Sequence, residues 1–220
     1  MSFKKTLRRW AGEIAYRLKP GKAEENRVVD IPQFHSLRPG DVAIDCGANL
    51  GIISQILGQH GATVHAFEPN PDAFSALTER TSAMANVIRH NQAVLDRAGH
   101  MTLHLHVNYH LNPKRFSSRS SLLSEKRNVD DTGGVKVEVI DLVDFILRLD
   151  RPVKLLKIDI EGAEYDLLNG LIDRGAMELI ESVYVETHAH SIPSLKLVDT
   201  ALRKRIGELG LSGKIDLNWI

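Results

Sequence analysis

The chain has 220 residues, in which 28 Lys and Arg balance 28 Asp and Glu, with 43% apolar residues and one Cys. This length is enough for one large domain with its own core, and a single Cys excludes a disulfide scaffold and fits the reducing cytoplasm. The zero formal charge argues against a nucleic-acid partner, and no apolar run reaches the ~18–20 residues of a membrane span.

The N-terminal segment differs from the rest in charge. Residues 1–22 carry seven Lys and Arg against one acid, Glu13, and Pro20-Gly21 ends the segment. Large apolar residues recur there at helical spacing: Phe3, Leu7, Trp10, Ile14 and Leu18. We therefore predict a basic amphipathic helix over 1–22, followed by one domain over 23–220. The apolar face could pack on its own domain, or residues 1–19 could contact a partner or the inner membrane surface.

From about residue 40, short apolar runs alternate with helical patterns. The predicted strands are Val42–Cys46, Thr63–Glu68, Val87–Val94, Val135–Val139, Val153–Ile160, Leu179–Glu186 and Lys214–Trp219. The predicted helices are Ile52–Gln59, Pro71–Met84, Leu142–Leu149, one from Ala163, and Leu195–Leu209. Met101–Val107 alternates with period two and predicts an antiparallel strand, whereas residues 108–134 predict a long loop. Together these elements predict an α/β fold with three layers, in which helices cover both faces of a mostly parallel, twisted sheet.

A glycine loop follows the first predicted strand, with the sequence DCGANLG over residues 45–51. Its Gly-x-x-x-Gly spacing lacks the dinucleotide fingerprint. Asp45 would repel a pyrophosphate and attract an ammonium group, and Glu68, ending the second strand, could accept hydrogen bonds from both ribose hydroxyls. These features indicate a ligand with a ribose, a positive charge and no phosphate, and S-adenosylmethionine has all three. Cys46 is interpreted as a small core side chain.

Several segments resemble the FkbM family of methyltransferases: VAIDCGANLG at 42–51, FEPNP at 67–71, NQAV at 91–94, LKIDIEGAE at 156–164 and VETH at 185–188. The resemblance implies a Rossmann-like methyltransferase fold and S-adenosylmethionine as methyl donor, with S-adenosylhomocysteine as product. It also implies a hydroxyl acceptor on a sugar, a glycan or a secondary metabolite. The residues that the resemblance assigns to the cofactor are Asp45, Gly47, Ala48, Asn49, Gly51, Glu68, Pro69, Asn91 and Asp159.

Candidate catalytic residues follow two later strands. In an open parallel sheet, ligands bind beyond the carboxyl ends of the strands, where Asp159 and Glu161 follow one strand and Glu186 and His188 the next. Methyl transfer to an alcohol requires a group that removes the hydroxyl proton. Our hypothesis is that Glu161 or His188 is this base, while Asp159 faces the methyl donor. Roles for these acids as helix-start residues, and for His188 as a surface residue, stay open.

Two further questions concern metal and the class of function. His104-x-His106 and His188-x-His190 each place two imidazoles on one strand face, but a solvated polar face accounts for them as well, and no metal is expected. A nucleotide-dependent oxidoreductase is disfavoured by the missing third glycine. A non-catalytic protein that docks on a membrane or a partner through residues 1–19 remains the alternative to an enzyme, and the oligomeric state is open.

Overall fold

The computed structural model describes residues 32–106, 109 and 129–219, with side chains from residue 134 onward in the last range. The helix predicted over residues 1–22 lies outside these residues, as does most of the segment 108–134. None of the helices in the described residues is both long enough and apolar enough to cross a membrane.

Six strands form the main sheet, in the order β3-β2-β1-β7-β8-β9, and each neighbouring pair is parallel. The strands are β1 (Val42–Cys46), β2 (Thr63–Phe67), β3 (Val87–His90), β7 (Val153–Ile158), β8 (Ile180–Val185) and β9 (Ile215–Asp216). The first predicted strand has the predicted bounds. The parallel α/β fold expected from the alternation of strands and helices is confirmed.

Helices cover both faces of this sheet because the side chains of its strands alternate between two cores. The helices are α1 (Ile52–Gly58), α2 (Pro71–Arg80), α3 (Leu142–Leu147), α4 (Glu164–Asp173) and α5 (Lys196–Glu208). On β1, Ala43 packs with Leu57 of α1 and Leu77 of α2, whereas Ile44 belongs to the core that includes Leu168 of α4. Full burial of each such aliphatic side chain contributes about 1.5–3 kcal/mol.

A second sheet has the order β4-β6-β5. It consists of β4 (Ala93–Leu95), β5 (Gly99–His106) and β6 (Val129–Asp141). β5 pairs antiparallel with β6, which confirms the antiparallel strand predicted at Met101–Val107. The apolar side chains of this sheet pack against Ile160 and Ala163, so the sheet lies beside the loop that follows β7.

Some predicted elements were wrong. The single strand Val87–Val94 is two strands, β3 and β4, in different sheets. The chain leaves the main sheet at Asn91, whose Nδ2 donates to the carbonyl oxygens of Glu68 and Pro69 at 2.9 and 3.3 Å. Residues 129–134, predicted as loop, belong to β6.

Several helices and strands also end at residues other than the predicted ones. The helix predicted to Met84 ends at Arg80, and the next residue, Thr81, donates through Oγ1 to the Leu77 carbonyl and receives a hydrogen bond from Arg89 Nε. β7 ends at Ile158, which leaves Asp159 as the first residue beyond the strand. The last strand is only Ile215–Asp216.

Candidate active site

The glycine loop after β1 and the acidic segment after β7 meet where the strand order of the main sheet reverses. β1 pairs with β2 on one side and with β7 on the other, and Asp45 and Cys46 are in register with Lys157 and Ile158. In open α/β sheets the ligand crevice lies at such a reversal, outside the carboxyl ends of the strands. The loop after β1 and Asp159 after β7 are therefore the two walls of the candidate crevice.

Gly47 holds the loop directly against β7. It has φ +77°, and a Cβ added there would lie 1.8 Å from the carbonyl oxygen of Asp159, so only glycine fits. The N–H groups of Gly47 and Ala48 both donate to the carbonyl oxygen of Phe67, at 3.0 and 2.9 Å. At Gly51, whose φ is +81°, an added Cβ would lie 2.7 Å from the side-chain Cδ1 of Leu77. The loop is thus fixed between β2 and β7.

Asp45 supports the loop from below. Its side chain is fully buried, receives a hydrogen bond from Ser54 Oγ at 2.6 Å and lies 3.1 Å from Lys157 Nζ. These contacts hold the Asp45 carboxylate beneath the loop, and the direct attraction of an ammonium group by Asp45 stays a prediction. Lys157 also donates to the carbonyl oxygens of Cys46 and Gly47, at 3.2 and 2.7 Å.

The charge of Lys157 is maintained by its neighbours. Burial by itself would lower the pKa of Lys157, but the Asp45 and Asp159 carboxylates outweigh burial and raise it. Burial next to Asp45 raises the pKa of the Cys46 thiol above its usual range, so Cys46 is a neutral core side chain, as expected.

Glu68 lies at the end of β2 as a second anchor of the crevice. Its Oε2 accepts from the N–H of Asn49 and its Oε1 from the N–H of Asn70, both at 2.8 Å. Burial raises the pKa of Glu68 to about 7, and these two N–H groups oppose the rise. Asn91 is exposed, and its amide holds the carbonyl groups of Glu68 and Pro69 in place. The structure thus brings together four of the predicted residues: Asn49, Glu68, Pro69 and Asn91.

The carboxylates of three predicted catalytic residues converge on an imidazole nitrogen of the fourth, His188. His188 Nε2 lies 3.1 Å from Glu161 Oε2, 3.8 Å from Asp159 Oδ1 and 3.9 Å from Glu186 Oε1. The main chain fixes this arrangement, because Asp159 N donates to Cys46 O and Glu186 N donates to Ile158 O, both at 3.0 Å. Asp159, Glu161 and Glu186 are 27%, 16% and 31% exposed, so the cluster faces the crevice.

Glu164 orients the imidazole from behind. This residue opens α4, is fully buried, and lies 2.9 Å from His188 Nδ1 through Oε1. Its carboxylate also accepts from the N–H groups of Ile160 and Gly162. Burial alone would lower the pKa of His188, but its hydrogen bonds with Glu161 and Glu164 raise it well above the usual range. The two flanking carboxylates therefore favour the protonated form of His188, and the assignment of the base to Glu161 or His188 stays a hypothesis.

A carboxylate is better suited to take a proton. Burial raises the pKa of Asp159 toward neutrality, Lys157 opposes this rise, and the like charges of Glu186 and Glu161 strengthen it. A group whose pKa lies near the working pH is an effective general base.

Sequence reasoning missed three residues that support this site: Ser54, Lys157 and Glu164. The signal for Lys157 was available, because a charged residue in an otherwise apolar strand requires a partner, and Asp45 is its register neighbour. Glu164 gave no such signal, since an acid in the first turn of a helix is common. Of the two histidine pairs, His104 and His106 lie on β5, as predicted for a strand, whereas His188 and His190 follow the end of β8 at Val185. His190 is exposed and stacks on His188, with ring centroids 6.1 Å apart.

Comparison with known proteins identifies relatives over most of the described region. The Methyltransferase FkbM domain matches residues 45–205. The chain is 33% identical over 187 residues to the 31-O-demethyl-FK506 methyltransferase FkbM of Streptomyces tacrolimicus, covering 69% of this chain and 67% of that protein. It is 28% identical over 151 residues to the hexuronic acid methyltransferase AglP of Haloferax volcanii, covering 68% and 56%. Methyltransferase 1 of Beauveria bassiana is 30% identical over 160 residues, covering 65% and 63%.

The chain thus spans between 56% and 67% of the length of these three relatives. Among solved structures, a putative rRNA-methylase from Clostridium thermocellum has a TM-score of 0.41 and 13% sequence identity, covering 76% of this chain and 72% of that one. The domain match includes the glycine loop, Glu68 and the whole cluster around His188. This chain belongs to the FkbM methyltransferase family.

Proposed function

We propose that this protein transfers a methyl group from S-adenosylmethionine to a hydroxyl oxygen, with S-adenosylhomocysteine as the other product. The family membership supports methyl transfer, and the crevice between β1 and β7 supports the identity of the donor. The named substrates of two relatives, 31-O-demethyl-FK506 and hexuronic acid, favour a sugar, glycan or secondary-metabolite hydroxyl as acceptor.

The observation that carries the proposal is that the N–H groups of the glycine loop donate to oxygens of the protein itself. A phosphate site at a glycine loop needs backbone N–H groups that point at the ligand. Here the N–H groups of Gly47 and Ala48 donate to Phe67 O, and those of Asn49 and Gly51 to Glu68 and to Ala48 O. The loop is therefore unsuited to the pyrophosphate of a nicotinamide dinucleotide, which separates this protein from the oxidoreductase alternative.

The residues fit the nucleoside part of the donor. Each oxygen of Glu68 accepts one backbone N–H, which leaves acceptor capacity for two ribose hydroxyls. Asn70 Nδ2 is buried without a hydrogen-bond partner in the described residues, although its Oδ1 caps α2. A ligand acceptor beside Asn70 would satisfy this amide. Gly47 is partly exposed and has no side chain, so a donor can lie close to its backbone.

The cluster around His188 then acts on the acceptor. S-adenosylmethionine supplies a methyl group already activated by its sulfonium. The protein has to hold the acceptor oxygen in line and accept its proton, and such alignment contributes about 7–11 kcal/mol to lowering the barrier. Asp159, Glu161 and Glu186 offer carboxylates at the mouth of the crevice, and the imidazolium of His188 keeps them in position.

Calorimetric titration with S-adenosylmethionine, S-adenosylhomocysteine and NAD tests the proposal. We expect the first two to bind and NAD not to bind. Glu68→Gln should weaken the binding of both adenosyl compounds about tenfold or more, because hydrogen bonds to a charged group contribute about 1.5–3 kcal/mol. Glu181→Gln is the matched control, since this exposed acid lies at the opposite end of the sheet, next to Lys154. Binding of NAD alone would refute the proposal.

A second measurement addresses the reaction. Incubating the protein with a host-cell extract and S-adenosylmethionine labelled in the methyl group should transfer the label to a product that contains a new methyl ether. Transfer only to nitrogen, sulfur or carbon would contradict the assignment of a hydroxyl acceptor.

A further inference from the structure

The cluster after β7 and β8 has the dimensions of a metal site. One ligand atom each from Asp159, Glu161 and His188 can be chosen so that all three lie within 4.8 Å of one another. Metal–ligand bonds of about 2.0–2.2 Å place neighbouring ligand atoms about 3–4.3 Å apart. The separations from His188 Nε2 to Glu161 and Asp159, 3.1 and 3.8 Å, fall in this range.

The second independent feature is the support behind His188. Histidines that bind metals generally use one ring nitrogen for the metal and donate the N–H of the other to a carboxylate or carbonyl group. His188 has this arrangement, because Nδ1 lies 2.9 Å from the fully buried Glu164 while Nε2 points at the other carboxylates. Glu164 is itself fixed by the backbone N–H groups of Ile160 and Gly162. The imidazole is thus oriented before any ligand arrives.

The charge of the cluster favours a cation. Four carboxylates, those of Asp159, Glu161, Glu164 and Glu186, lie within 4 Å of one imidazole. The nearby Lys157 lies 3.1 Å from Asp45, whose charge it already balances, and is 3.8 Å from Asp159. The protonated His188 is the one counter-charge inside the cluster, and a divalent cation that displaces its proton would bring one positive charge more to the four carboxylates.

We propose that Asp159, Glu161 and His188 bind one divalent cation of the Mn²⁺ type, whose remaining coordination positions open toward the crevice. A mixed imidazole and carboxylate set with open positions suits Mn²⁺, Fe²⁺ or Zn²⁺ better than Mg²⁺, which prefers oxygen ligands. Binding displaces the proton that Nε2 shares with Glu161. No metal was expected from the sequence, because a solvated polar face accounts for the histidine pairs as well.

The role of such a cation rests on the proposed function. A divalent cation lowers the pKa of a hydroxyl or water that it binds, so it would help an alcohol lose its proton at neutral pH. The proton can pass to Glu186, which lies beside the three ligands but outside the proposed set. The fixed cation would also orient the acceptor oxygen relative to the glycine loop.

The site is tested by titrating the metal-stripped protein with Mn²⁺ alone. Binding is followed by calorimetry and by the loss of the electron paramagnetic resonance signal of free Mn²⁺. We expect one ion per chain. Glu161→Gln and His188→Ala should each weaken the affinity more than tenfold, and Glu164→Gln should weaken it about 10–100-fold through the orientation of His188. Glu181→Gln is the control and should bind Mn²⁺ as the unmodified chain does, since this exposed side chain lies at the opposite end of the sheet, next to Lys154. Circular dichroism identifies any variant that fails to fold, and the nearly isosteric Glu161→Gln keeps the test decisive if another variant does.

The outcomes separate this inference from the proposed function, because Mn²⁺ is titrated without any methyl donor. An absence of Mn²⁺ binding at millimolar concentration, or equal binding by the unmodified chain and Glu161→Gln, would overturn the metal site. Binding of S-adenosylmethionine in the presence of EDTA would leave the proposed function intact in either case.

Discussion

Replacing Gly47 with Ala tests how firmly the glycine loop is held against β7. An added Cβ would lie 1.8 Å from the carbonyl oxygen of Asp159. Gly175 provides a matched control, because its φ of +76° nearly equals the +77° of Gly47, yet nothing lies within 4 Å of its added Cβ. Both substitutions carry the penalty of about 1–2 kcal/mol for an L residue in left-handed backbone. The difference between the two therefore isolates the contact with Asp159.

We expect Gly175→Ala to lower the free energy of unfolding by about 1 kcal/mol, and Gly47→Ala to lower it by about 1–3 kcal/mol more, as overpacking does. The larger loss arises because the contact can be relieved only by moving backbone. That movement would weaken the hydrogen bonds from Asp159 N to Cys46 O, at 3.0 Å, and from Lys157 Nζ to Gly47 O, at 2.7 Å. Urea denaturation without ligands measures both losses. Losses that agree within about 0.5 kcal/mol, the usual error of such comparisons, would refute the reasoning.

Three further predictions concern charge and backbone. Lys157→Met should lower the free energy of unfolding by about 3–5 kcal/mol, because it leaves Asp45 charged and buried, and the double variant with Asp45→Asn should recover at least half of that loss in urea denaturation. The affinity for S-adenosylmethionine should rise about tenfold from pH 6 to pH 8, since the pKa of Glu68 is about 7 and its ionised form accepts the ribose hydroxyls. Calorimetry with Glu68→Gln should show a shallower rise, to which Asp159 still contributes, and an equally steep profile in that variant would contradict the assignment. Glu161→Gly should be about 1 kcal/mol more stable than Glu161→Ala, because Glu161 has φ +60°, and the reverse order in urea would contradict it.

The sequence was sufficient for the parallel fold and for the convergence of the site. Alternating apolar strands and helical patterns determine the layers, because each strand must bury both faces. Once β7 and β8 are neighbours in a parallel sheet, residues that follow their ends must meet. For that reason the grouping of Glu161 with His188 could be predicted, although the protonation of His188 could not, since it depends on Glu164, a residue 24 positions away in the chain.

The features that escaped prediction depend on contacts distant in sequence. The strand predicted over Val87–Val94 contains no proline or glycine to divide it, and the break arises from the hydrogen bonds of Asn91 with the chain after β2. Likewise, α2 ends at Arg80, and the next residue, Thr81, bonds to Arg89 of β3. Periodicity reports which face of an element is buried, and it contains no information about such side-chain contacts.

The distribution of hydrogen-bond donors and carboxylates explains how a glycine loop can serve a ligand without phosphate. Glycine loops bind phosphate when their N–H groups face outward, but here Phe67 O and Glu68 draw these groups into the protein. The groups that face the crevice are instead the carboxylates of Asp159, Glu161 and Glu186, while the compensating Lys157 is buried beneath them. A chain whose formal charges cancel thus concentrates negative charge at one point. Glycine spacing alone therefore does not predict phosphate binding, because the direction of the N–H groups, rather than the presence of glycine, determines whether a loop can hold an anion.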